Sequence, residues 1–91
     1  MSSRNLTQRL AVSLGNEAKA AKMLECIASN SALPKDVYVA LEVSMADKKL
    51  ATEVANAVET SATLTKKACD CLTIMLADKA AGKELIELIE S

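Results

Sequence analysis

From Ala46 to Ala81 the chain contains neither glycine nor proline, and its apolar and small residues recur in steps of three and four. Leu50, Val54, Ala57, Ser61, Leu64, Ala68, Cys71 and Met75 form one stripe; Ala51, Ala55, Val58, Ala62, Thr65, Cys69, Leu72 and Leu76 repeat it one residue later. This spacing matches the turn of an α-helix, so the region is helical with one broad flank to bury. One long helix and a hairpin of two both satisfy the stripes. Thr60, Ser61, Thr63 and Thr65 favour the hairpin, because hydroxyl side chains compete for backbone hydrogen bonds inside a helix and serve well at caps and turns. A break is expected near 60–64. Gly82 is expected to end the next helix, and the dense apolar edge of Leu85, Ile86, Leu88 and Ile89 to form a short last one.

The first half is punctuated more openly. Asn5, with Gln8 three residues on, resembles a capping box, and Leu6, Leu10 and Leu14 follow at helical spacing. Gly15 suits the left-handed residue that ends a helix, and Asn16 can cap a second one over about 17–29, where Ala20, Ala21, Leu24, Ile27 and Ala28 share a face. Pro34 restricts Leu33 and opens a new element. Over 36–45 the pattern is ambiguous: Val37, Val39, Leu41, Val43 and Met45 alternate as in a strand, while Tyr38, Leu41 and Met45 fit a helix. No other segment offers a partner strand, so helix is the preferred reading, with an intermolecular two-stranded ribbon as the alternative. Laying 19–27 over 67–75, 48 residues apart, matches only a Lys-Ala pair and one Leu, which gives no repeat.

With 91 residues the chain reads as one helical domain, 1–91, and its class as all-α: a compact bundle of five to six short helices, with dimerisation available to complete it. Tyr38 is the only aromatic residue, so the core must be built from Leu, Val, Ile, Met and Ala. The net charge of −1 gives no strong field for nucleic acid or anionic lipid, and no apolar run reaches the ~18 residues of a membrane span. Three cysteines, Cys26, Cys69 and Cys71, are an odd number without an export signal ahead of them, so a cytoplasmic protein is expected rather than a secreted disulfide scaffold.

Chemistry finds no foothold. The chain has no histidine, no glycine-rich phosphate loop and no nucleophile motif, so neither an enzyme, a cofactor nor a small-molecule substrate is expected. Cys69 and Cys71 stand two residues apart, about 200° around a helix, and cannot easily chelate one metal; both sit on the apolar stripes as small hydrophobes.

Two functional readings remain. Residues 6–24 fit the spacing of a DNA-reading helix-turn-helix through Ala11, Gly15, Ala21 and Leu24, with Arg4, Arg9, Lys19 and Lys22 to meet phosphate. The helix that would enter the groove carries no Arg, Asn or Gln in its interior to read bases, so a dimeric DNA-binding regulator is the alternative reading. The leading one follows from apolar surplus. Each large aliphatic side chain left in water forfeits roughly 1.5–3 kcal/mol, and the stripes exceed what short helices obviously hide from one another. A non-enzymatic interaction module is expected, an adaptor, regulator or inhibitor, gripped by another protein or by a second copy as a homodimer. Leu85, Ile86, Leu88, Ile89, Val37, Tyr38 and Leu41 are the expected contact residues.

Overall fold

Three tight turns organise the molecule. In each, a left-handed residue is followed by an extended Asn or Asp: Gly15-Asn16, Ala46-Asp47 and Ala77-Asp78. The side-chain oxygen of the second residue accepts the backbone N–H three positions on, at 3.0 Å from Lys19, 3.1 Å from Leu50 and 3.0 Å from Ala81. Each such cap satisfies an amide that the first helical turn leaves free, and so starts the returning helix.

A computed structural model describes the backbone of residues 2–91 and the side chains from Leu6 onward. Among the described residues it contains six helices, α1 (Ser2–Leu14), α2 (Glu17–Ser29), α3 (Lys35–Met45), α4 (Lys48–Thr60), α5 (Lys66–Leu76) and α6 (Lys79–Glu90), in a compact all-α bundle of 26 × 25 × 25 Å. The ambiguous segment is helix α3. Val37, Leu41 and Met45 enter the core, while Val39 and Val43 face solvent, so the apparent strand alternation is a helix sampled every second residue. The break expected near 60–64 lies at 61–65 between α4 and α5.

Two boundaries differ from the sequence reading. Helix α1 already includes Asn5, which is therefore not its cap. Helix α5 ends at Leu76, not at Gly82, because Ala77 takes the left-handed conformation (φ 54°) and Asp78 caps the next helix. Gly82 lies inside α6 and is buried at a close crossing: a Cβ there would stand 2.7 Å from Thr73 Oγ1 and 2.9 Å from Thr73 Cα.

The helix boundaries also uncover a repeat that the 48-residue comparison misses. Helices α1, α3 and α5 end at Leu14, Met45 and Leu76, and α2, α4 and α6 begin at Glu17, Lys48 and Lys79, a period of 31 residues. Buried positions follow it: Leu6/Val37/Ala68, Leu10/Leu41/Leu72, Leu14/Met45/Leu76, Ala20/Ala51/Gly82, Met23/Val54/Leu85 and Ile27/Val58/Ile89. The three hairpins α1–α2, α3–α4 and α5–α6 close on themselves, since α1, α3 and α5 pack mutually, α2, α4 and α6 do the same, and α6 returns against α1. The result is a pseudo-threefold arrangement of two stacked triangles of helices.

Polar bonds keep the same rotation sense. Ser44 Oγ donates to the Ser13 carbonyl at 2.5 Å and Ser13 Oγ to the Met75 carbonyl at 2.8 Å. Met75 holds the third equivalent place without a hydroxyl, and its hairpin reaches the next through Cys71 Sγ, 3.6 Å from the Met45 carbonyl. Arg9, the counterpart of Cys71, donates likewise to the Leu76 carbonyl at 3.3 Å.

The crossing at Gly82 makes a specific prediction. Gly82→Ala gains about 1 kcal/mol of helix propensity but forces α6 away from the Thr73 backbone, an overpacking penalty of about 1–3 kcal/mol, so a net loss is expected. Urea unfolding should show a lower midpoint at unchanged slope. Ala51→Gly, at the equivalent buried position, should also destabilise, by about 1–2 kcal/mol, through lower helix propensity and the loss of one buried methyl group.

Candidate interaction surface

The molecule hides most of its apolar surface by itself. Of the seven expected contact residues, Val37, Leu41, Leu85 and Ile89 are fully buried in the core. Ile86 and Tyr38 are half-buried against it, with the Tyr38 hydroxyl 2.7 Å from Thr52 Oγ1. Leu88 alone of the set is exposed. The sequence reading overestimated the surplus because it weighed the helices singly, whereas closure of three hairpins into a ring gives every helix several neighbours.

What remains exposed is ordered. Val12, Val43 and Ile74 are 84%, 74% and 77% exposed and occupy one position of the 31-residue repeat, near the ends of α1, α3 and α5. Each is the chain neighbour of Ser13, Ser44 or Met75, which the serine bonds tie together around the pseudo-threefold axis. Val39, one turn before Val43, extends the same face. Among the described residues, four of the five exposed large hydrophobics therefore lie on α1, α3 and α5. Val12 and Ile74 fall outside the buried stripes, so periodicity alone gave no reason to single them out; the signal was the 31-residue recurrence of a β-branched residue.

Beside Val12 a groove of about 280 Å³ runs between α1 and the end of α5, bordered by Gln8, Ser13, Met75 and Arg9. Arg9 is fixed there by an ion pair with Asp78, Nε to Oδ2 3.0 Å. The basic residues of the alternative reading are not gathered for phosphate. Arg9 is engaged, Lys22 pairs with Glu25 at 3.2 Å, and Lys19 and Lys22 border a shallow groove that also contains Asp36. The side chain of Arg4 lies outside the described residues.

The three cysteines are free. Cys26 is buried with its thiol 3.6 Å from the Ala32 carbonyl. Burial, and then Glu90 for Cys69 and Asp47 for Cys71, pushes both of those thiols above their ordinary pKa, which keeps them protonated and poorly nucleophilic near neutral pH. Among the described residues no three metal-ligating side chains converge, no charged side chain is buried, and no helix is long and apolar enough to cross a membrane.

The Asp78 carboxylate is held below its ordinary pKa of 3.8 first by the backbone N–H of Ala81, against some burial, and then by Arg9. A depressed carboxylate stabilises the fold above its unfolded pKa, and that contribution is lost as pH falls through the folded value. Asp78→Ala should therefore lower the melting temperature at pH 7, and the gap to the parent should close as the pH is taken well below 3.8 in a thermal series.

Compared with family models, curated proteins and solved structures, the chain has no match, so its function is read from its own residues.

Proposed function

We propose that this chain is a small non-enzymatic helical interaction module that docks on a larger protein through the outer face of α1, α3 and α5. The observation that carries this reading is the recurrence of Val12, Val43 and Ile74, one exposed β-branched aliphatic per hairpin, around a common axis. Such side chains have few rotamers to lose on docking, so they bury area at small entropic cost. The action is steric: the module covers or shapes a surface of its partner as an adaptor, regulator or inhibitor.

The size of the patch argues for a transient contact. Four exposed aliphatic side chains are few beside the roughly 20–30 residues and 800 Å² that each side of a stable complex buries. A larger protein in reversible contact suits this better than an obligate homodimer. A nucleic-acid partner has less support, because Arg9 is held by Asp78 and acids accompany Lys19 and Lys22. Free thiols suit a cytoplasmic setting.

The test combines a surface variant with crosslinking. Val12→Lys, Val43→Lys and Ile74→Lys together should leave stability within about 0.5 kcal/mol per site, since all three side chains are exposed. A photoreactive residue at position 43 should give a discrete adduct that unlabelled parent protein competes away and the triple-lysine variant does not. Equal competition by both proteins would refute the face. Light scattering should report a monomer; a dimer dissolved by the triple substitution would replace the larger partner with a second copy.

A further inference from the structure

We propose that the first hairpin, α1–α2, exchanges between two copies of the chain, with residues 31–34 as the hinge, to give a dimer that displays two docking faces. The exchange stands on the packing of the hairpins alone; the doubling of faces rests on the docking surface proposed above.

Helices α1 and α2 pack on both of the other hairpins, through buried positions that recur every 31 residues. Of the two links between hairpins, only 30–34 reaches the first one. When that link straightens, the hairpin of one copy fills the place left in the other. Every contact it made at home is then remade across the copies, including Arg9 to Asp78 and Ser13 to the Met75 carbonyl. The closed and exchanged forms therefore differ only in the link.

The two links are built differently, and the difference selects the hinge. In 61–65, Leu64 is 5% exposed and its N–H donates to Glu90 Oε2 at 2.9 Å. The Thr65 N–H and hydroxyl donate to Glu53 at 2.7 and 3.1 Å, so this link is fastened to α4 and α6 at once. In 30–34 the backbone bonds run back to α2: Asn30 N–H to the Ile27 carbonyl at 3.4 Å and Ser31 N–H to the Cys26 carbonyl at 3.0 Å. These bonds travel with the hairpin. Asn30 Nδ2 reaches across to the Val58 carbonyl at 3.2 Å and Ser61 Oγ at 2.7 Å, but it too moves with α2 and meets the same groups on the second copy.

Beyond Asn30 little resists reorientation. Ser31 and Ala32 are exposed and Leu33 is only half-buried. Pro34 opens α3 without a side-chain cap and keeps Leu33 extended in either form. Straightened, the four residues span at most about 13 Å, enough to carry the chain from one lobe to an adjacent one. Each lobe of the dimer then completes Val12 of one copy with Val43 and Ile74 of the other. Two faces held in one molecule bind a partner offering two sites with avidity.

The test unfolds the full chain in urea and refolds it at about 1 mM, the order of effective concentration that a short link imposes on closure, and at roughly a hundredfold dilution. Light scattering should report twice the monomer mass for a severalfold larger share of the concentrated sample. Inserting Gly-Ser-Gly-Ser between Ser31 and Ala32 should return that share to the monomer, because a longer flexible link lets each hairpin close on its own chain; deleting Ser31 and Ala32 should raise it. Refolding an equimolar mixture of isotope-labelled and unlabelled chain should give intermolecular NOEs between α1 and α5, which pack within one chain in the monomer. Monomer at both concentrations for the parent, a dimer indifferent to the insertion, or intermolecular NOEs confined to Val12, Val43 and Ile74 would overturn the exchange. The variant with Val12→Lys, Val43→Lys and Ile74→Lys should exchange as the parent does, so loss of the docking face and loss of exchange give different results.

Discussion

The whole arrangement depends on a short-range bond repeated three times: a side-chain oxygen on Asn16, Asp47 or Asp78 accepting the amide three residues ahead. The preceding residue is left-handed in every case, and at Ala46 and Ala77 that conformation strains an L-residue that lacks the freedom of glycine. The strain is tolerated because the turn satisfies groups that would otherwise be orphaned: Ala46 N–H reaches the Glu42 and Val43 carbonyls, and Ala77 N–H the Ile74 carbonyl. Sharp reversal then lays each second helix back along the first, with a small residue, Ala20, Ala51 or Gly82, in its first turn.

Closure of the three hairpins settles how the apolar residues are shared. A single hairpin could bury only one side of its stripes, but around the ring each helix meets neighbours from its own and the adjoining hairpins. Among the described residues the buried core is therefore continuous and aliphatic apart from Cys26, and the exposed large hydrophobics lie on α1, α3 and α5 and at Leu88 near the end of α6.

Much of this was legible in the residues. Helical class, the hairpin at Gly15-Asn16, the break at Pro34 and the hydroxyl-rich break before α5 all follow from local chemistry. The turn at Ala77-Asp78 was not legible as such: alanine is the best helix former, and an aspartate inside a helical stripe reads as a solvated charge until its neighbour is seen in the left-handed region. Gly82 misled for the converse reason, since its role is close approach to Thr73 rather than chain reversal. The repeat was hidden because selection on buried volume leaves identity free to drift; only Leu10, Leu41 and Leu72 are the same residue in all three hairpins. The expected contact residues were chosen for hydrophobic density, which marks a core as readily as a surface, and four of them proved to be core.

The position of Arg9 has a mechanical meaning. Consecutive hairpins are joined by peptide at 30–34 and 61–65, whereas the first and third meet with no covalent tie between them. It is at that seam that Arg9 grips Asp78 and the Leu76 carbonyl while Ser13 holds the Met75 carbonyl. The other two ion pairs described, Lys22–Glu25 and Lys66–Asp70, each stay within one helix. An ion pair and two hydrogen bonds thus act as a clasp on a necklace of three beads, closing by side-chain contacts the one junction that the backbone does not bridge.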